Sequence, residues 1–156
     1  MSNAWTQSAS SVWDVLASKA QNAARQAQQQ LIEAQQRKEL AVVRSQKLDQ
    51  LLAEYSEQLN AIQRRNHSIL EAGNYRNFIV QLQVLKGRST AEFLALEADC
   101  SDARKSMATA DEERLKVESL ARRAQDQARE QQRAHETREA EAQGIMQYNL
   151  RNRARP

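Results

Sequence analysis

Between Ser11 and Arg65 the chain contains neither glycine nor proline, and apolar or small residues recur every seven positions: Trp13, Ala20, Ala27, Ala34, Ala41, Leu48, Tyr55, Ile62 and Ile69. A second row, Ala17, Ala24, Leu31, Lys38, Ser45, Leu52 and Leu59, falls between them. Alternating steps of three and four residues put both rows on one side of a helix, and a strict heptad implies a left-handed coiled coil. Asn66-His67-Ser68 then reads as a reversal. Asn tolerates the left-handed conformation that ends a helix, and Ser68 followed by Glu71 is a capping box for the next one. Past the reversal, Tyr75, Leu82, Ser89, Leu96, Ala103, Ala110, Val117 and Ala124 form one row. Phe78, Phe93, Cys100, Met107, Arg114, Ala121 and Ala128 form the other. The pattern predicts an all-α fold, an antiparallel two-helix coiled-coil hairpin with an overhanging second helix. Helix 1 is expected over about 12–65, the turn over 66–68 and helix 2 over about 69–143, sharing a length near ~80 Å.

The ends and interruptions carry their own signals. Residues 1–11 are Ser/Thr-rich and are expected to be disordered, with Ser10 or Ser11 capping helix 1 and Asp14 in its first turn. Gly73 and Gly87 fall inside helix 2, each costing about 1 kcal/mol relative to Ala. Either one is a place where the helix can kink. Lys86-Gly87-Arg88-Ser89 followed by Glu92 is a second stop-and-cap signal, an alternative place for the turn. Gly144 reads as a helix C-cap, leaving 144–156 as a basic C-terminal tail.

The seam changes along its length. Towards the N-terminus it is mostly Ala, which contributes less than the roughly 1.5–3 kcal/mol of a buried Leu or Ile. Near the turn it is Leu, Tyr and Ile. The half near the turn is therefore expected to hold the hairpin closed, and the far end to fray or to be completed by a partner.

Composition sharpens this picture. Of 156 residues 28% are charged and 4% aromatic, with three glycines and a proline only at the last position; such a chain buries a narrow seam rather than a globular core. One cysteine excludes an internal disulfide framework, and no apolar run approaches the ~20 residues that cross a bilayer. A soluble, cytoplasmic protein is expected. The net charge of +3 equals the contribution of Arg151, Arg153 and Arg155, so the basicity belongs to the tail and the helices carry no basic face. That argues against nucleic-acid binding. His67 and His135 lie too far apart in a hairpin to share a metal, a lone Cys100 at a seam position makes no zinc set, and the glycines are isolated. No catalytic or cofactor-binding constellation emerges, and an enzyme is not expected.

Three features remain as candidates for recognition: the aromatic and leucine cluster near the turn, the Ala-rich open end with Trp13, and the arginine tail. Seam packing alone accounts for part of the cluster. Leu51, Tyr75, Ile79 and Leu85, however, widen the apolar stripe beyond what a two-helix seam covers, and leftover apolar surface marks a binding site. A structural coiled coil that homodimerises through this excess is the competing reading.

The run LDQLLAEYSEQL, a spacer holding the turn, and NYRNFIVQLQ resemble the FliJ family of flagellar type III export, and more loosely its injectisome stalk counterparts. Glu54-Tyr55 and Asn74-Tyr75-Arg76-Asn77-Phe78-Ile79 with Leu82 are the most specific pieces. The resemblance implies a non-enzymatic stalk linking an export ATPase hexamer to the export-gate membrane protein, and escort of export chaperones. It would act at the cytoplasmic side of the inner membrane at the flagellar base, without inserting into the bilayer. The gate-binding residues so implied are Leu48, Leu51, Tyr55, Phe78, Leu82 and Leu85. Those for the ATPase ring are Trp13, Ala124, Arg129, Arg133, Arg151, Arg153 and Arg155.

Overall fold

The structure is a computed structural model that describes residues 2–65 and 68–155, with side chains from residue 11 onward. It consists of two helices packed on one another, α1 (Ser2–Gln63, 62 residues) and α2 (Ile69–Arg153, 85 residues), with no strand among the described residues. The fold is an all-α helical hairpin. Asn66 and His67, expected to make the reversal, lie outside the described residues. The chain divides into two compact units, residues 25–108 and residues 1–24 together with 109–156.

The helix ends beside the reversal follow from hydrogen bonding. Arg65 N–H donates to the Ile62 carbonyl at 3.3 Å, a three-residue step that tightens the end of α1. On the other side the Ser68 hydroxyl accepts from the Glu71 N–H at 3.0 Å and the Ser68 carbonyl accepts from Ala72. Ser68 is thus the N-cap that its sequence context predicts. The Glu71 carboxylate lies 3.7 Å from the Arg65 guanidinium, joining the two helix ends.

Along α1 the heptad holds without exception. From residue 11 onward, every buried or half-buried side chain lies on the two predicted rows, and no other does. The last member proposed for them, Ile69, instead begins α2 and is 90% exposed. On α2 one row is displaced from the expected one near the turn. Ala72, Ile79 and Lys86 precede Phe93 at seven-residue steps, and all three are buried or half-buried. Phe78, assigned to that row, sits one residue to the side and remains 38% exposed. Positions 78 and 93 are not a whole number of heptads apart, whereas 79 and 93 are, so the seam takes Ile79 and leaves the larger ring of Phe78 beside it.

In the 25–108 unit the seam buries Ala27, Ala34, Ala41, Ile62, Ala72, Leu82 and Cys100. Alanines let the backbones approach, while Leu82, 3% exposed, supplies a large apolar knob. In the other unit, the buried and half-buried residues include Trp13, Ala17, Ala20 and Ala24 of α1 and Ala110, Val117, Ala121 and Ala124 of α2. Cross-helix hydrogen bonds here run from Gln21 to Glu118 (3.0 Å) and from Gln125 to Asp14 (3.2 Å). Past Ala128 every described residue is exposed.

Three boundary expectations differ from the structure. Helix α1 starts at Ser2, because residues 2–11 contain no breaker and extending an existing helix is inexpensive. Neither Gly73 nor Gly87 stops α2; the helix runs through both, and Ser89 is a buried seam residue rather than a cap. Nor does Gly144 end it, since α2 continues to Arg153 and no glycine has positive φ. A C-cap glycine needs the left-handed conformation, and nothing after Gly144 imposes it.

Candidate interaction faces

Seven-residue spacing also organises the positions beside the seam. On one flank of the 25–108 unit, α1 presents Arg44, Leu51 and Arg65 at multiples of seven, and α2 presents Glu71, Phe78, Leu85 and Glu92. The outer members are charged and pair across the helices: Arg44 with Glu92 at 3.3 Å, Arg65 with Glu71 at 3.7 Å. Between these pairs the flank carries no charge: it presents Leu51, Phe78 and Leu85, with the uncharged Gln58 as the remaining member of the α1 row. Exposed ion pairs of this kind contribute at most about 1 kcal/mol each, so they frame the flank more than they stabilise it.

Tyr55 is the centre of the cluster. Its ring lies 4.5 Å from that of Phe78 at 54° and 5.8 Å from that of Tyr75 at 46°, tilted arrangements that aromatic quadrupoles favour. Tyr55 is half-buried, whereas Phe78 sits over it from the flank with its outer edge in solvent. Leu51 and Leu85 are likewise exposed, at 37% and 46%. Leu85 and the half-buried Leu48 line an open groove of about 210 Å³ shared with Arg44, Arg88, Ser89 and Glu92. Lys86 closes the seam on this stretch, donating to the Ser45 hydroxyl and to the Asp49 carboxylate at 2.8 Å.

The structure therefore brings Leu48, Leu51, Tyr55, Phe78, Leu82 and Leu85 into one neighbourhood, but not in one role. Leu82 is buried in the hairpin's own seam; its contribution is to hold the two helices together beneath the exposed residues. The framing pairs and the position of Ile79 were missed from sequence. Counting heptads backwards from Phe93 would have found Ile79.

The unit formed by the N-terminal arm and the end of α2 holds a second constellation. Arg114 occupies a seam position and is gripped by Asp111 (2.7 Å) and Glu118 (3.1 Å) on its own helix. Hydrogen bonding to Asp111, then to Glu118, raises the Arg114 pKa. The Glu118 carboxyl is held below its ordinary range, first by the Gln21 amide and then by Arg114. Trp13 and Ala124 are both half-buried here, each next in sequence to a partner of the Asp14–Gln125 hydrogen bond. Arg129 and Arg133 are exposed one to two turns further along α2, and Arg151, Arg153 and Arg155 are exposed at its end. Along a helix, Ala124 and Arg151 are separated by about 40 Å, so these seven residues form a long surface and not one site.

Among the described residues no three His, Cys, Asp or Glu side chains are grouped as metal ligands, and His135 is 3.1 Å from Glu139. Among the described residues no helix is long and apolar enough to cross a membrane. Comparison with curated proteins and with solved structures finds no match. A family model does match, the flagellar FliJ protein, over residues 13–153. That span takes in α1 from Trp13 onward and all of α2, and the chain belongs to the FliJ family.

Proposed function

We propose that this chain is a non-enzymatic stalk of the flagellar type III export apparatus, joining the export ATPase ring to the membrane export gate. Family membership supports the export-related role, and the distribution of exposed groups supports the stalk reading. The observation that carries it is the apolar flank bounded by Arg44–Glu92 and Arg65–Glu71. Phe78, Leu51 and Leu85 stay exposed there although the helix pair has enough seam to close without them. We assign this flank, with Leu48 and Tyr55 supporting it, to the gate. Exposed aromatic and leucine side chains on a rigid helical frame are well suited to anchor a protein interface. The arm around Trp13 and Ala124, with the arginines along the end of α2, is assigned to the ATPase ring. Its seam, mostly alanine and interrupted by Arg114, leaves much of its closure to a partner. Export chaperones are the further cargo of this stalk.

Binding of the gate's cytoplasmic domain to Phe78→Ala and Leu51→Ala variants tests the assignment. Each truncation is expected to weaken binding by about 1–3 kcal/mol, roughly five- to 150-fold, with helix content by circular dichroism unchanged. Unchanged affinity in both variants would remove the flank from the gate interface. If affinity instead falls with loss of a homodimer, the scaffold reading takes its place.

A further inference from the structure

Helix α2 carries a second apolar face, turned away from its seam. Leu70, Val80, Val84 and Leu94 lie on it and are 75%, 56%, 52% and 61% exposed. Gly73, Asn77, Gly87, Ala91, Ala98 and Ser101 complete the same alternating three- and four-residue steps, so no charge falls on this face from Leu70 until Lys105. The corresponding outer positions of α1 also include the exposed Ile32 and Val43, but Arg25, Glu39 and Glu57 fall among them, so no comparably long uncharged face forms there. A Cβ added at Gly73 or at Gly87 meets nothing within 4 Å, so the hairpin's own packing gives no reason for either glycine.

We infer that this face pairs antiparallel with the same face of a second copy of the chain. One register satisfies both size and charge. With the second copy's Gly87 opposite Val84, its Ala91 falls opposite Val80, its Ser101 opposite Leu70, its Ala98 opposite Gly73 and its Asn77 opposite Leu94. Nearly every layer then sets a large side chain against a small one, the complementarity that lets helices approach closely. The same register puts Arg76 beside the second copy's Glu97 twice, by symmetry, and opposes no like charges. A slip of one heptad in one direction sets Arg88 against Arg88; in the other it separates Arg76 from Glu97. Parallel pairing sets Glu97 beside Asp102. The face spans about 47 Å of helix and is narrow, which suits a weak, concentration-dependent dimer. Tyr55, Leu51 and Phe78 remain free in it.

Sedimentation equilibrium of the full chain over ~1 μM to ~1 mM reads this directly. The mass is expected to rise from the 17.8 kDa of one chain towards twice that value. Val84→Glu is expected to hold it at the monomer. Arg76→Glu should weaken association by about tenfold or more, and Arg76→Glu combined with Glu97→Arg should restore it. Tyr55→Ala should leave it unchanged. A monomer at every concentration, or a dimer abolished by Tyr55→Ala and indifferent to Val84→Glu, overturns the inference. Failure of the Arg76–Glu97 exchange to restore association overturns the register.

Discussion

Glu118 accepts hydrogen bonds from both helices, from Gln21 of α1 and from Arg114 of its own helix, and this makes the attachment of the N-terminal arm sensitive to acid. Its folded pKa is depressed below the ordinary carboxylate range, so the stabilising contribution is fully present above the unfolded value and is lost as the pH falls through the depressed one. Carbon-detected NMR titration of Glu118 is expected to give a midpoint below that of an unperturbed Glu, with the Gln21 amide signals moving over the same pH range. A midpoint at the ordinary value would mean that the two helices are not joined there. Gly87 offers a second test at this scale. With open space around an added Cβ, Gly87→Ala is expected to stabilise the isolated chain by about 1 kcal/mol, seen as a higher Tm at low concentration. A lower Tm would show that the glycine has a conformational task inside the monomer.

At the scale of the helices, the clearest dependence is on the cap at the start of α2. Ser68→Ala removes the acceptor for the Glu71 N–H and is expected to cost about 1 kcal/mol in denaturant unfolding, with faster amide exchange confined to the first turn of α2. Exchange that is unchanged there would show that the cap is dispensable. The helices also show what is legible in a sequence of this kind. On α1 periodicity alone located every buried position from residue 11 onward, because nothing competes with a heptad in a stretch free of glycine and proline. On α2 the same pattern is less plain at Phe78, whose large ring suggests a seam position that the neighbouring Ile79 in fact occupies. The helix ends at Ser2 and Arg153 were not legible either. Capping residues and Gly144 mark where a helix is able to stop, while propagation through polar residues depends on the absence of anything that makes it stop. The framing ion pairs of the candidate flank lie at seam-flanking positions and required the cross-helix register, which only the structure supplies.

For the whole molecule, the two compact units carry different surfaces. The 25–108 unit combines a leucine- and aromatic-rich seam with an exposed apolar flank. The other combines an alanine seam, interrupted by Arg114, with a long polar and finally basic stretch of α2. Leu82 and Tyr55 show how the first unit keeps its flank in place: one is buried in the seam and the other bridges from the seam to Phe78. A stalk needs two such surfaces able to work together, one for each partner. The most direct measurement is therefore the mass of the species formed when the chain is mixed with the export ATPase and the cytoplasmic domain of the gate, read by light scattering after size exclusion. One complex holding all three proteins, lost with Phe78→Ala while the ATPase–chain complex persists, is the expected result. Two separate binary complexes that compete for the chain would contradict the stalk.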